Sequence, residues 1–319
     1  MSEFKKSTRT SFAKAIVEVG NEYKDVVAVA ADSASRYGDF VKKFPERCFN
    51  VGIAEQTMIG VAAGLALCGK IPVVTSYANF LAFRAIEQVR VDIATAGLNV
   101  KMVGTDTSFS SAWLGFTHLA LEDIAAIRSI PNIVIIDPAD ATEAYLATKA
   151  MFEYNGPVYM RLRGRKDEPV LFGKDYVFKI GKGNVLREGK DVLIVSSGSA
   201  VYESLIAWEI LRQKGIAAAV VNMATIRPLD EALLLEMTSL TKKVVTVEHH
   251  NITGGLGSAV AELLAEKRPN VKLLRMGVKD TFGTAGSEEM LKGYFGLDAK
   301  AIAERVESFL KNDYKSEVN

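Results

Sequence analysis

Residues 49–77 read FNVGIAEQTMIGVAAGLALCGKIPVVTSY. A short apolar strand leads into Glu55, an almost uncharged helix follows, and a β-branched strand closes the stretch. Between Glu55 and Cys68 only Gln56 and Thr57 are polar, and the local sequence offers Glu55 no cation. A carboxylate entering a core is costly unless something pairs with it or protonates it. Strand, carboxylate, apolar helix and strand predict a parallel α/β unit, whose ligands bind at the carboxyl ends of the strands. Gly60, Ala63 and Gly64 are small enough to let the helix approach a sheet or another helix closely.

The same rhythm extends outward. DVVAVAAD (25–32), KIPVVTSY (70–77), NVKMVGT (99–105), NIVIID (132–137) and GPVYMRL (156–162) read as strands. FLAFRAIEQVRVDIATAG (80–97) reads as a helix closed by Gly97, and LEDIAAIRS (121–129) as a short one. Asp140 with Glu143 predicts a capped helix over 141–154. Residues 163–190 are charged and glycine-rich and break the pattern. A second alternating series follows: strands 191–197, 216–223, 243–249 and 271–276, with helices 200–214, 229–240 and 257–267 between them. The expected fold is α/β, with two parallel-type sheet domains and flanking helices. The expected boundaries are 1–165, a linker over 166–190, and 191–319.

Composition excludes several classes. The 319 residues are 49% hydrophobic and 24% charged, as in a globular protein with large cores. A net charge of +1 gives no footprint for nucleic acid or an anionic membrane. No apolar run is long enough to span a bilayer, and the N-terminal stretch lacks a signal peptide's apolar centre. Cys48 and Cys68 are expected to be reduced, buried thiols, and the cytoplasm is the default compartment.

Polar residues just after the strands are the candidates for chemistry. They are Asp32 and Ser33, Glu55, Tyr77 and Asn79, Thr105 to Ser111, and Asp137. Phe80 and Phe83, three apart at a helix start, are expected on one face, and His118 ends the loop DTSFSSAWLGFTH. A buried carboxylate, aromatic rings and a histidine suit a planar heteroaromatic ligand. Each also has a plainer reading: the phenylalanines as core, His118 as structural, Glu55 as a cap on its own helix. TGGLGS (253–258) and SSGS (196–199) look like phosphate turns but read better as tight packing turns. There is no GxGxxG after a strand, and His249-His250 lack further ligands, so no metal is assigned to this chain.

FPERCFNVGIAEQ, FRAIEQVR, THLALEDIAAIRSIPNIVIIDPAD and VVTVEHHNITGGLGSAV together carry a resemblance. The chain resembles the C-terminal half of transketolase, in the form split into two subunits, over nearly its whole length. The resemblance implies a pyrimidine-binding domain followed by a transketolase C-terminal domain. It implies thiamine diphosphate as cofactor, with Glu55 on the aminopyrimidine N1′ and Tyr77, Phe80 and Phe83 around the ring. It implies transfer of a two-carbon unit from a ketose to an aldose, with His118 contacting the donor. Arg9, Ser33 or Ser35, and one of Arg161, Arg163 and Arg165 fit substrate contacts, Arg163 being preferred. The family's diphosphate and Mg²⁺ motif is absent, which implies an N-terminal partner subunit and a dimer of such pairs. Thr105 and Leu114 stand where ordinary members carry a histidine and an acidic residue that contact the sugar. Two donors are therefore expected as alternatives: an ordinary ketose phosphate, with the loop merely differing in the split form, or an unusual ketose, sulfonated or branched. Deoxyxylulose-phosphate synthases, the β subunits of 2-oxo-acid dehydrogenases and a non-catalytic assembly subunit are the alternatives.

Overall fold

A computed structural model describes residues 7–164 and 166–311, and among these residues the chain forms two mostly parallel sheets with flanking helices. The first half supplies β1 (Val26–Ala30), β2 (Cys48–Asn50), β3 (Ile71–Tyr77), β4 (Lys101–Thr105), β5 (Val134–Ile136) and β6 (Val158–Arg161). The second half supplies β7 (Asn184–Arg187), β8 (Val192–Ser196), β9 (Ala218–Asn222), β10 (Thr225–Arg227), β11 (Lys243–Asn251) and β12 (Lys272–Val278). β1, β4, β8 and β9 are buried along their whole length, as strands covered on both faces must be.

The first sheet runs β10-β5-β6-β4-β3-β1-β2 and the second β12-β11-β8-β9-β7. Two short edge strands are antiparallel, and neither is expected from the spacing of the apolar runs. β10 comes from the second half yet pairs with β5 of the first sheet. Arg227, at its end, donates to the carbonyls of Ile133 and Arg128 at 2.8 and 2.6 Å, and also to that of Ile130. β7 lies inside the stretch read as a linker. That stretch is tied down: the backbone N–H groups of Leu171 and Phe172 donate to Asp140 Oδ2, and Tyr176 stacks on Phe172.

Local signals place the helices as expected. Asp140 accepts from Glu143 N at 2.8 Å and starts helix Ala141–Glu153, while Glu143 reaches back to Ala139 N at 2.7 Å. TGGLGS is a packing turn because its helix start is already capped from within. Buried Glu248 accepts from Leu256 N and Gly257 N at 2.8 and 2.9 Å, filling the place an anion would take.

Three expectations need correction. Residues 80–97 are not one regular helix: Phe80–Arg84 and Val89–Ala94 are π-helical, with an α turn between them. His249 and His250 do not follow a strand but lie buried within β11. The cysteines are free, but Cys48 is only half-buried and Cys68 is exposed, because each sits at the rim of its element.

Candidate active site

Glu55 opens helix Glu55–Leu67 beside the carboxyl end of β3, and it is 1% exposed. Its partners come from elsewhere in the chain. Ser76 Oγ donates to Oε1 at 2.7 Å, and Arg84 Nη1 donates to Oε2 at 2.5 Å. Burial pushes the carboxyl's pKa up, but the Ser76 and Arg84 hydrogen bonds outweigh it and hold it below the ordinary value. In this state Glu55 is a paired carboxylate. Its cation, which the local sequence does not offer, comes from Arg84.

Arg84 ends the π-helical stretch Phe80–Arg84. A π turn holds more residues than an α turn, so i+3, which shares a face in an α-helix, rotates away while i+4 stays on it. Arg84 therefore lies over the Phe80 ring, 4.4 Å from its centroid. Phe83 turns outward and is 46% exposed, outside the aromatic cluster.

Tyr77, Phe80 and His118 do come together. Tyr77 meets Phe80 edge-on at 5.4 Å, and His118 contacts both rings at 5.1 Å. The loop carrying His118 is held in place. Asn79 donates to the Thr117 carbonyl, Thr117 Oγ1 pairs with His118 Nδ1 at 3.0 Å, and Ser111 Oγ donates to Asp106 Oδ1 at 2.9 Å. Asp32 and Asp106, just after β1 and β4, both adopt positive φ (70° and 60°), a strained conformation typical of functional loops.

A residue absent from the sequence-based candidates stands behind Tyr77. Arg36 is 3% exposed, and its guanidinium lies 4.7 Å from the Tyr77 ring centroid. Its Nε donates to Thr105 Oγ1 at 3.0 Å, while Nη1 is buried with no partner among the described residues. Arg36 lies in a stretch that reads as loop, and nothing local marks it as buried.

The other candidates are dispersed. Ser33 Oγ pairs with Ser35 Oγ at 2.8 Å beyond β1. Arg9 lies 3.8 Å from Asp106. Arg161 is locked in the core, bidentate to Asp123 and bonded to Asp137 at 3.0 Å, so it is not available to a ligand. Arg163 is paired away from the cluster: its Nε lies 2.7 Å from Glu168, in the stretch between the halves, and its Nη2 pairs with Glu288 of the second half. Arg165 lies outside the described residues.

The structure thus brings a buried carboxylate at the start of an apolar helix under a half-exposed aromatic cluster at the strand ends. Residues 4–166 match the family model described as the pyrimidine binding domain of transketolase, and residues 181–302 match its C-terminal domain. The chain belongs to the transketolase family, as a C-terminal subunit of the split form. It is 41% identical over 296 residues to a 6-deoxy-6-sulfo-D-fructose transketolase subunit of Clostridium sp. (strain MSTE9), covering 92% of this chain and 91% of that one. It is 42% identical over 283 residues to one of the subunits of the apulose-4-phosphate transketolase of Actinobacillus succinogenes, covering 88% and 91%. A solved structure described as a split gene transketolase, an inactive beta4 tetramer, superposes with a TM-score of 0.86 at 42% identity, covering 96% and 98%. Among the described residues no helix is long and apolar enough to cross a membrane.

Proposed function

We propose that this chain is the pyrimidine-side subunit of a thiamine diphosphate-dependent transketolase that moves a two-carbon ketol unit from a ketose to an aldose. The observation that carries this reading is Glu55, enclosed by protein yet adjacent to the half-exposed Phe80 and its aromatic neighbours. These residues fit the aminopyrimidine end of the cofactor: a carboxyl for the ring nitrogen N1′ and aromatic faces for the ring. They do not supply the other end. The Mg²⁺ and diphosphate contacts are assigned to a partner subunit, as the resemblance implies for a sequence without the family's motif for them.

When bound, thiamine diphosphate supplies the electron sink for carbon–carbon cleavage. The chain's own residues position and protonate. Glu55 holds a proton at N1′, and Ser76 fixes the carboxyl's orientation. His118 stands at the rim of the aromatic cluster, placed to hydrogen-bond a sugar oxygen. The partner has a surface to use. Ile53 and Leu67 are 72% and 73% exposed, and a Cβ added to Gly60 or Gly64 would meet nothing within 4 Å. Such an open apolar face marks an interaction site.

The ketose is read as one with an unusual tail, sulfonated or branched. Thr105, at the position of the ordinary members' histidine, is engaged by Arg36, whose buried Nη1 lacks an acceptor. A guanidinium with an open donor suits an oxyanion or a branch hydroxyl. The two relatives named for a sulfo-sugar and a branched sugar phosphate support this direction. The test combines this chain with its N-terminal partner, thiamine diphosphate, Mg²⁺ and a panel of ketoses. Activity only in the combined sample, and its loss in Glu55→Gln, upholds the reading. Turnover by this chain alone, or an active Glu55→Gln, overturns it. Xylulose 5-phosphate outperforming every sulfonated or branched ketose overturns the choice of donor.

A further inference from the structure

We propose that Arg84 occupies the place of the cofactor's aminopyrimidine in the uncombined subunit, and that it must swing out before Glu55 can engage the ring. This rests on the reading of Glu55 and Phe80 as cofactor contacts.

Two contacts made by one side chain carry the inference. The Arg84 guanidinium bonds Glu55 Oε2 at 2.5 Å and stacks over Phe80 at 4.4 Å. Those are the two contacts assigned to the aminopyrimidine. The chemistry of the two groups is alike: each is flat and delocalised, and each brings one ring or guanidinium nitrogen to the carboxyl group while lying against an aromatic ring. They cannot both be there.

The geometry also allows Arg84 to leave. Its side chain is 41% exposed, while that of Glu55 is 2% exposed, so the guanidinium closes the site from the solvent side. Arg84 ends the π-helical stretch, just before Ala85 departs from helical angles, where the backbone is least regular. Ser76 holds the other carboxylate oxygen, so Glu55 keeps its position when Arg84 goes.

Displacement would change what Glu55 can do. With Arg84 in place, Glu55 stays a carboxylate and has no proton to share. With Arg84 gone, burial is opposed only by the Ser76 and backbone hydrogen bonds, and the carboxyl takes up a proton more readily. Arg84 is thus a positioning residue that arms Glu55 only when the ring arrives.

The test is thiamine diphosphate affinity of the assembled two-subunit protein, measured calorimetrically for wild type, Arg84→Ala and Arg84→Gln. Each is repeated in a Glu55→Gln background. Arg84→Ala is expected to tighten binding by roughly two- to fivefold, the range of a partly exposed ion pair, with Arg84→Gln intermediate. In the Glu55→Gln background the gain should vanish, because the pair being broken is gone. The second readout needs no cofactor: carbon-13 NMR titration of Glu55 in this chain alone should show its pKa rising in Arg84→Gln. Weaker cofactor binding in Arg84→Ala, or an equal effect in both backgrounds, overturns the proposal, since Arg84 would then hold the cofactor rather than its place. An unmoved Glu55 titration overturns it as well. An assembled wild type that binds no thiamine diphosphate overturns the cofactor reading itself.

Discussion

Replacing Arg161 with methionine should cost the fold far more than the loss of one side chain's packing. Arg161 is fully buried and bonds Asp123 through Nε and Nη2 at 2.8 and 3.1 Å. Nη1 bonds Asp137 at 3.0 Å, and Nη2 also donates to the Ala120 carbonyl at 3.1 Å. Tyr159 and Ser197 complete the network, and Ser197 belongs to the second half of the chain. Methionine fills similar volume but leaves two buried carboxylates without their cation. Breaking a buried ion pair from one side costs about 3–5 kcal/mol. Burial already pushes the Asp137 carboxyl above its ordinary value, with Arg161 opposing that push. Without Arg161 its pKa rises further. A carboxyl with a raised folded pKa is most stable when protonated, and that stability is lost as pH rises through the folded value. The deficit in Arg161→Met should therefore shrink on going from pH 7.5 to 5.5, by up to about 1.4 kcal/mol per unit of pKa shift. Urea unfolding followed by circular dichroism at both pH values measures it. Adding Asp137→Asn should restore part of the loss at pH 7.5. A deficit below about 1 kcal/mol that does not change with pH would refute the reasoning, given the magnitudes for buried pairs.

Gly64→Leu should leave this chain folded and slightly stabilised, by about 0.5–1 kcal/mol from helix propensity, because a side chain there meets nothing. It should abolish assembly with the partner subunit, which size-exclusion chromatography of the mixture reads directly. Gly255→Ala should destabilise by roughly 1–3 kcal/mol by overpacking, since its Cβ would fall 2.0 Å from Glu248 Oε2 and 2.7 Å from His250 Nδ1; thermal unfolding checks this. Glu168 lies between the halves, and burial, the largest cause, with Glu288 adding to it and Arg163 opposing, pushes its pKa to about 7. Its contribution to stability is complete below the unfolded carboxylate range and is lost as pH rises through about 7. Unfolding midpoints should fall from pH 6 to pH 8.5, and Glu168→Gln should flatten its share of that slope.

Much of the fold is legible in the chain because it is written in neighbouring residues. Strand and helix alternate with their expected periods, and the cap at Asp140 follows a three-residue rule. The short edge strands β7 and β10 are not legible. Three or four residues carry no period, and β10 finds its place only beside β5. At the site, Glu55, Tyr77, Phe80 and His118 stand out because polar and aromatic residues at strand ends are few. Phe83 is misplaced because an α period is the natural assumption where the chain makes a π turn, and Arg84 is missed because its partner Glu55 lies 29 residues away.

The sequence by itself determined that a carboxylate stands at the head of an apolar helix with no cation nearby in the chain. Those are facts of composition within a turn or two, whereas its burial is not, since Ile53, Gln56 and Thr57 beside it are exposed. Only the tertiary structure decided what meets that carboxylate. Ser76 and Arg84 lie 21 and 29 residues away, and Arg36 reaches Thr105 across 69. Such pairs are set by strand order and by the face each turn presents, and a single side chain's position in sequence does not encode either. The same holds for Arg163, whose charge is spent on Glu288, 125 residues further on. Local periodicity builds the two sheets; their packing chooses which charges are neutralised and which, like Arg36 Nη1, find no acceptor among the described residues.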